Sequence, residues 1–143
     1  MSPVAYSALI FSVIFMVATA YFFMGGLPLL TLKHDVPLDA RFIRSFFNVY
    51  YRSTFWIAMC ACVSFAVWGR YAFATGALAV AGSLTLLSAG FSSAMQRVGA
   101  RIEASESGAI RSFRRLHVAV LGLNLTVLAV VIWGMAILSQ QLK

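Results

Sequence analysis

Charge is scarce in this chain. Asp, Glu, Lys and Arg make up 10% of its 143 residues, against roughly 25% in an average soluble domain. Acids are the rarer sign, four against eleven Lys and Arg, and none lies inside an apolar run. That argues against a proton-coupled carrier of the small multidrug type, which needs an ionisable group within the membrane. Cysteine is limited to Cys60 and Cys62, and two thiols within one apolar run give no external disulfide framework. Two residues apart, they point about 200° apart around a helix; they cannot share a metal and read as core filling. A Cys-x-x-Cys redox pair, an H-x-x-x-H iron cluster, a nucleophile elbow and a phosphate loop are all missing. Most ordinary enzyme classes drop out with them.

Apolar residues are what the sequence has in quantity, at 62%. They gather in four runs, 5–27, 46–68, 72–95 and 116–139, each near the 20 or so residues that cross a bilayer as a helix. Barrel strands would alternate apolar and polar residues, and these runs do not. Backbone groups in lipid must be paired within the segment, so helices follow. The first run lacks the basic start and small-residue cleavage site of a secretory signal and is expected to remain as a helix. The expectation is one all-α domain over 1–143: an integral membrane four-helix bundle, up-down-up-down.

The charges orient it. Lys33, Arg41, Arg44 and Arg52 flank the first link, and Arg97, Arg101, Arg111, Arg114 and Arg115 flank the third. Arg70 and Lys143 alone fall on the other side. Short loops rich in Lys and Arg stay cytoplasmic, so both termini are expected on the non-cytoplasmic side, in a bacterial plasma (inner) membrane. The same bias accounts for the net charge of +7 without nucleic acid. The short Trp68-Gly69-Arg70-Tyr71 turn makes the second and third spans antiparallel neighbours, with both rings suited to the outer interface.

On the basic side, Pro28 and Pro37 bracket a link, 29–36, that should not be a continuous helix. Arg41, Arg44, Asn48 and Arg52 then recur every three or four residues, which puts them on one helix face, with Phe42, Phe46, Val49 and Tyr50 largely opposite. That basic face suits anionic lipid headgroups, or alternatively the wall of a pocket. Arg97 and Arg101, and likewise Arg111 and Arg115, are four apart on helices expected to run past the membrane, with Glu103 and Glu106 near the reversal and Ser107-Gly108 as the break. Ala77, Ala81, Thr85, Ala89 and Ser93 form a small-residue stripe, expected to make the third span the packing centre or a homo-oligomer contact. Asn124 suits a bond between helices rather than glycosylation, because its Asn-Leu-Thr sequon lies within the fourth run.

Ala94-Met95-Gln96-Arg97, Glu103, the run from Phe113 to His117 and Asn124-Leu125 resemble a four-span membrane family of unknown function. It includes the human transmembrane protein associated with cisplatin resistance. The run from Phe46 to Tyr51 is similar to that family's start of span 2. More distantly, the His near the start of the fourth span resembles the anthrone-oxygenase-like four-span family. These resemblances imply an architecture and a shared polar cluster of His117, Arg97, Glu103 and Asn124, without an established reaction.

Two functions remain open. One is an accessory or scaffold subunit of a larger membrane complex, or a homo-oligomer. The other is a membrane enzyme or binder for a hydrophobic anionic ligand at the cytoplasmic ends of spans 2–4. There His117 would be the acid/base or ligating group, and Arg44, Arg97, Arg101, Arg115 and Asn124 would hold the ligand. No cofactor is expected. Haem or a metal on His34 and His117 is the outlying alternative, which absorption spectra would reveal. A channel or transporter ranks last, because the runs carry no ionisable path.

Overall fold

The computed structural model describes residues 2–30, 37–104, 106 and 108–141, leaving aside the side chains of residues 37, 39 and 40. Four helices account for nearly all of it: α1 (Pro3–Leu29), α2 (Pro37–Val67), α3 (Tyr71–Glu103) and α4 (Ala109–Gln141). Lys33, His34, Asp35, Ser107 and Lys143, and with them most of the first link, lie outside the described residues.

Local chemistry sets the helix ends. Ser2 caps α1, its Oγ accepting from the Ala5 N–H at 3.2 Å, and Pro3 follows where a missing N–H does no harm. Past Val67 the chain turns back on Gly69, at φ +80. There Gly69 N–H donates to Ala66 O at 3.0 Å and Arg70 N–H to Phe65 O at 2.9 Å, the paired bonds of a Schellman cap. The α3–α4 reversal turns on Gly108, at φ +87, whose carbonyl accepts from Ser112 N–H at 3.0 Å. Arg70 ties the start of α3 to the end of α4 through Gln141 Oε1 at 2.9 Å, with its guanidinium 5.3 Å over the Trp68 ring.

Three of the helices, α1, α3 and α4, are long and apolar enough to cross a membrane. At 33 residues each, α3 and α4 are about 50 Å long and overrun a 30 Å hydrocarbon core. The second helix falls short of that standard because Arg41, Arg44, Asn48 and Arg52 occupy its first half, all exposed. Its uninterrupted apolar part, 53–67, covers only about 22 Å.

The helices close a ring in which each touches its two sequence neighbours and α4 returns to α1. Ala8 of α1, Ala61 and Phe65 of α2, Ala74 of α3 and Leu138 of α4 share one cluster, so successive helices run in alternate directions. The buried positions step by three and four. On α1 they are Ala5, Ala8, Ser12, Phe15 and Thr19; on α2, Ile43, Phe47, Tyr50, Thr54, Ala58, Ala61 and Phe65. This is the seam of helices packed at a shallow angle.

Two expectations about faces change. On α3 the buried line is Ala74, Ala81, Leu84, Phe91 and Met95, while Thr85, Ala89 and Ser93 of the small-residue stripe are exposed. A four-residue step advances 400°, so it drifts about 40° per step and leaves the seam within a few turns. On α2, Phe42 and Val49 are exposed and Ile43 and Phe47 are buried. Cys60 likewise faces outward and Cys62 is half-buried, since Ala58 and Ala61 hold the seam beside them; Cys60 is therefore not core filling.

Candidate functional site

At the arginine-rich end the core is aromatic and polar at once. Phe22 of α1 lies 4.9 Å from Phe46 and 5.1 Å from Tyr50, ring centre to ring centre. Phe47 reaches the edge of Phe91 at 5.1 Å and of His117 at 5.6 Å. Thr19, Tyr50, Tyr51, Thr54, His117 and Asn124 are all buried among these rings. His117 and Asn124 are seven residues apart, two turns along the same face of α4, so the 3.5-residue repeat carries both inward.

Each of these polar groups has a different fate. Thr54 donates to Tyr50 O in its own helix at 2.7 Å. Thr19 faces the Tyr50 hydroxyl and Asn124 faces that of Tyr51, yet neither pair reaches full hydrogen-bond geometry, and Asn124 Oδ1 is left without a hydrogen bond. His117 has no solvent exposure and sits edge-on between Phe47 and Phe113, 6.5 Å from the latter.

The arginines stand outside this cluster. With the Gln96 amide oriented by its hydrogen bonds, Arg44 donates from both terminal nitrogens to the amide oxygen, at 3.0 and 2.9 Å, and so links α2 to α3. Arg97 donates to Ser93 O of its own helix at 3.4 Å. Arg101 pairs with Glu106 at 2.6 Å, both side chains about half-exposed. Arg115 lies on an outer groove with Arg111 and Arg114. The structure thus buries His117 and Asn124 two turns apart on one face of α4 and leaves Arg44, Arg97, Arg101 and Arg115 at the surface. The polar cluster of His117, Arg97, Glu103 and Asn124 implied by resemblance does not form as a unit, since Arg97 and Glu103 are exposed. Whether His34 joins His117 lies outside the described residues. Among those residues, no three His, Cys, Asp or Glu gather as a metal site.

Comparison with protein-family models, curated proteins and solved structures yields no match. The site is therefore read from its own chemistry. Sequence reasoning missed the inward hydroxyls of Thr19 and Tyr51. The signal was there in a polar residue recurring on the seam, at Thr19, Tyr50, Thr54, His117 and Asn124. Nearer the other end, a cavity of about 270 Å³ opens among Phe15, Ala58, Phe73, Val80, Val131 and Met135. Its one hydroxyl, Ser12, is bonded to Ala8 O at 2.9 Å, so the space is suited to apolar matter alone.

Proposed function

We propose that the chain crosses a bacterial inner membrane four times, up-down-up-down with both termini outside, as an accessory or scaffold subunit of a larger membrane complex. The α2 seam supports the fourth crossing, because it is continuous from Ile43 to Phe65 between α1 and α3. A 30 Å core spans about 20 residues, which places Arg52 roughly one turn inside. Its aliphatic stem lets the guanidinium reach the interface. Kinship with the four-span family that the sequence resembles belongs to the same proposal; Met95, Phe113, His117 and Asn124, which carry the resemblance, are all inward.

One observation carries the scaffold reading over a catalytic one. His117 is sealed at zero exposure, while the arginines that would hold an anionic substrate are on the surface. A general base must come within reach of the proton it removes. Outward faces rich in large apolar residues, such as Trp56, Leu86 and Trp133, suit lipid or a neighbouring subunit. Purification under mild detergent tests this: a stable membrane partner or homo-oligomer is expected, and a solitary monomer would count against it.

A second reading is favoured by Asn124 Oδ1 and the Tyr51 hydroxyl, buried without full partners. It is a binder or enzyme for a hydrophobic ligand, haem included, that would complete these bonds. A Soret band or a copurifying small molecule, lost in His117→Ala with the helix content intact, would favour it over the scaffold.

A further inference from the structure

We propose that the first three turns of α4 form a binding site for an anionic phospholipid. The proposal rests on the reading of this chain as membrane-embedded. Arg111, Arg114 and Arg115 fall at i, i+3 and i+4, so their side chains share one side of the helix. They line a single outer groove with Ile110 and Val118. All three are exposed. Arg44, Arg97 and Arg101 each engage a protein oxygen. The sole ion pair among the described residues joins Arg101 to Glu106, so among those residues the α4 trio has no acidic partner.

Beneath the arginines the surface changes character within one turn. Val118 and Leu125 are 53% and 48% exposed, and a Cβ at Gly122 would meet nothing within 4 Å. From Arg115 to Gly122 is about 10 Å along the axis. A ligand for this surface needs a phosphate at one end and an apolar chain directly below it. Guanidinium groups bind phosphate in forked pairs, and the shallow apolar strip offers acyl contact but no polar group. A phospholipid with net negative charge fits both halves. A free anion would use only the first, and a zwitterionic lipid would bring its own cation against the arginines.

The test uses intact protein in detergent and native mass spectrometry, with phosphatidylglycerol and phosphatidylcholine of matched chains as probes. Wild type should retain phosphatidylglycerol preferentially. R111Q/R114Q/R115Q should weaken that retention on the order of a hundredfold, from about fivefold for each cation near an anionic surface. Arg70→Gln, which removes a charge at the opposite end of the bundle, should leave retention within about twofold of wild type, because exposed charges farther apart than a Debye length are screened. Millimolar inorganic phosphate should fail to displace the lipid. No headgroup preference, equal loss in Arg70→Gln and Arg115→Gln, or full displacement by phosphate would each overturn the proposal. Should the α4 triple lose helicity, Arg115→Gln carries the test, with about fivefold weakening expected and none contradicting. Alkaline extraction of membranes separates the underlying reading: protein released by carbonate refutes embedding itself, whatever the lipid adducts.

Discussion

Asn124 offers the sharpest test of whether the buried polar cluster is structural. The side chain is 1% exposed, faces the Tyr51 hydroxyl, and leaves Oδ1 unpaired. An unsatisfied buried acceptor costs about 1–3 kcal/mol. Bonds between membrane helices average only about 0.6 kcal/mol and reach about 1.7. Replacing Asn124 by the nearly isosteric Leu removes the orphan and forfeits at most that weak pairing. Asn124→Leu should therefore be neutral or stabilising, by up to about 2 kcal/mol. Tyr51→Phe should behave alike, since it deletes the facing hydroxyl. The double variant should show a coupling energy no larger than about 0.6 kcal/mol. Unfolding in mixed micelles against a denaturing detergent, followed by circular dichroism, measures all four corners of the cycle. Destabilisation above about 1 kcal/mol in both single variants, with coupling beyond 1.7, would refute the reasoning. It would mean that a strong bond or a bound molecule satisfies these groups.

Backbone and surface sites give further expectations. Gly69 sits at φ +80, so Gly69→Ala should cost about 1 kcal/mol in the same assay. Gly134, in mid-helix with nothing within 4 Å of a Cβ, should reverse the sign, Gly134→Ala gaining about 0.5–1 kcal/mol. Glu106→Gln breaks the exposed pair with Arg101 and should change stability by no more than about 1 kcal/mol, less at high salt.

The helices and their reversals were legible in the sequence because their signals are local. Gly69 and Gly108 each mark a boundary through backbone chemistry alone, and the one-face spacing of Arg41, Arg44, Asn48 and Arg52 held. Which side of each helix turns inward was much harder to read. In α1, Ala8 and Phe15 are buried while Ile10 and Val17 are exposed; in lipid both environments are apolar, so hydrophobicity does not separate them. The inward face is marked instead by small and polar residues at a 3.5-residue repeat, as Ser12 and Thr19 do. The stripe from Ala77 to Ser93 was a poor guide to the monomer's core because its spacing of four drifts off that repeat; its exposed part leaves only the homo-oligomer contact as its reading. The expected pocket of arginines around His117 failed for a related reason. Shared position along the bundle axis put them at one end, but their angles around the helices differ, and that angle is what a leaflet assignment omits.

The fourth crossing is the claim on which topology, charge placement and function all depend, and the accessibility of the two tight turns tests it most directly. In a background with Cys60 and Cys62 replaced by Ser, single cysteines at Gly69 and at Gly108 would be treated on intact cells with a membrane-impermeant maleimide. Four crossings require labelling at 69 from outside and at 108 only after permeabilisation. If α2 lay along the inner surface and only α1, α3 and α4 crossed, the pattern would invert: 108 would label from outside, 69 would stay protected, and the account would fail.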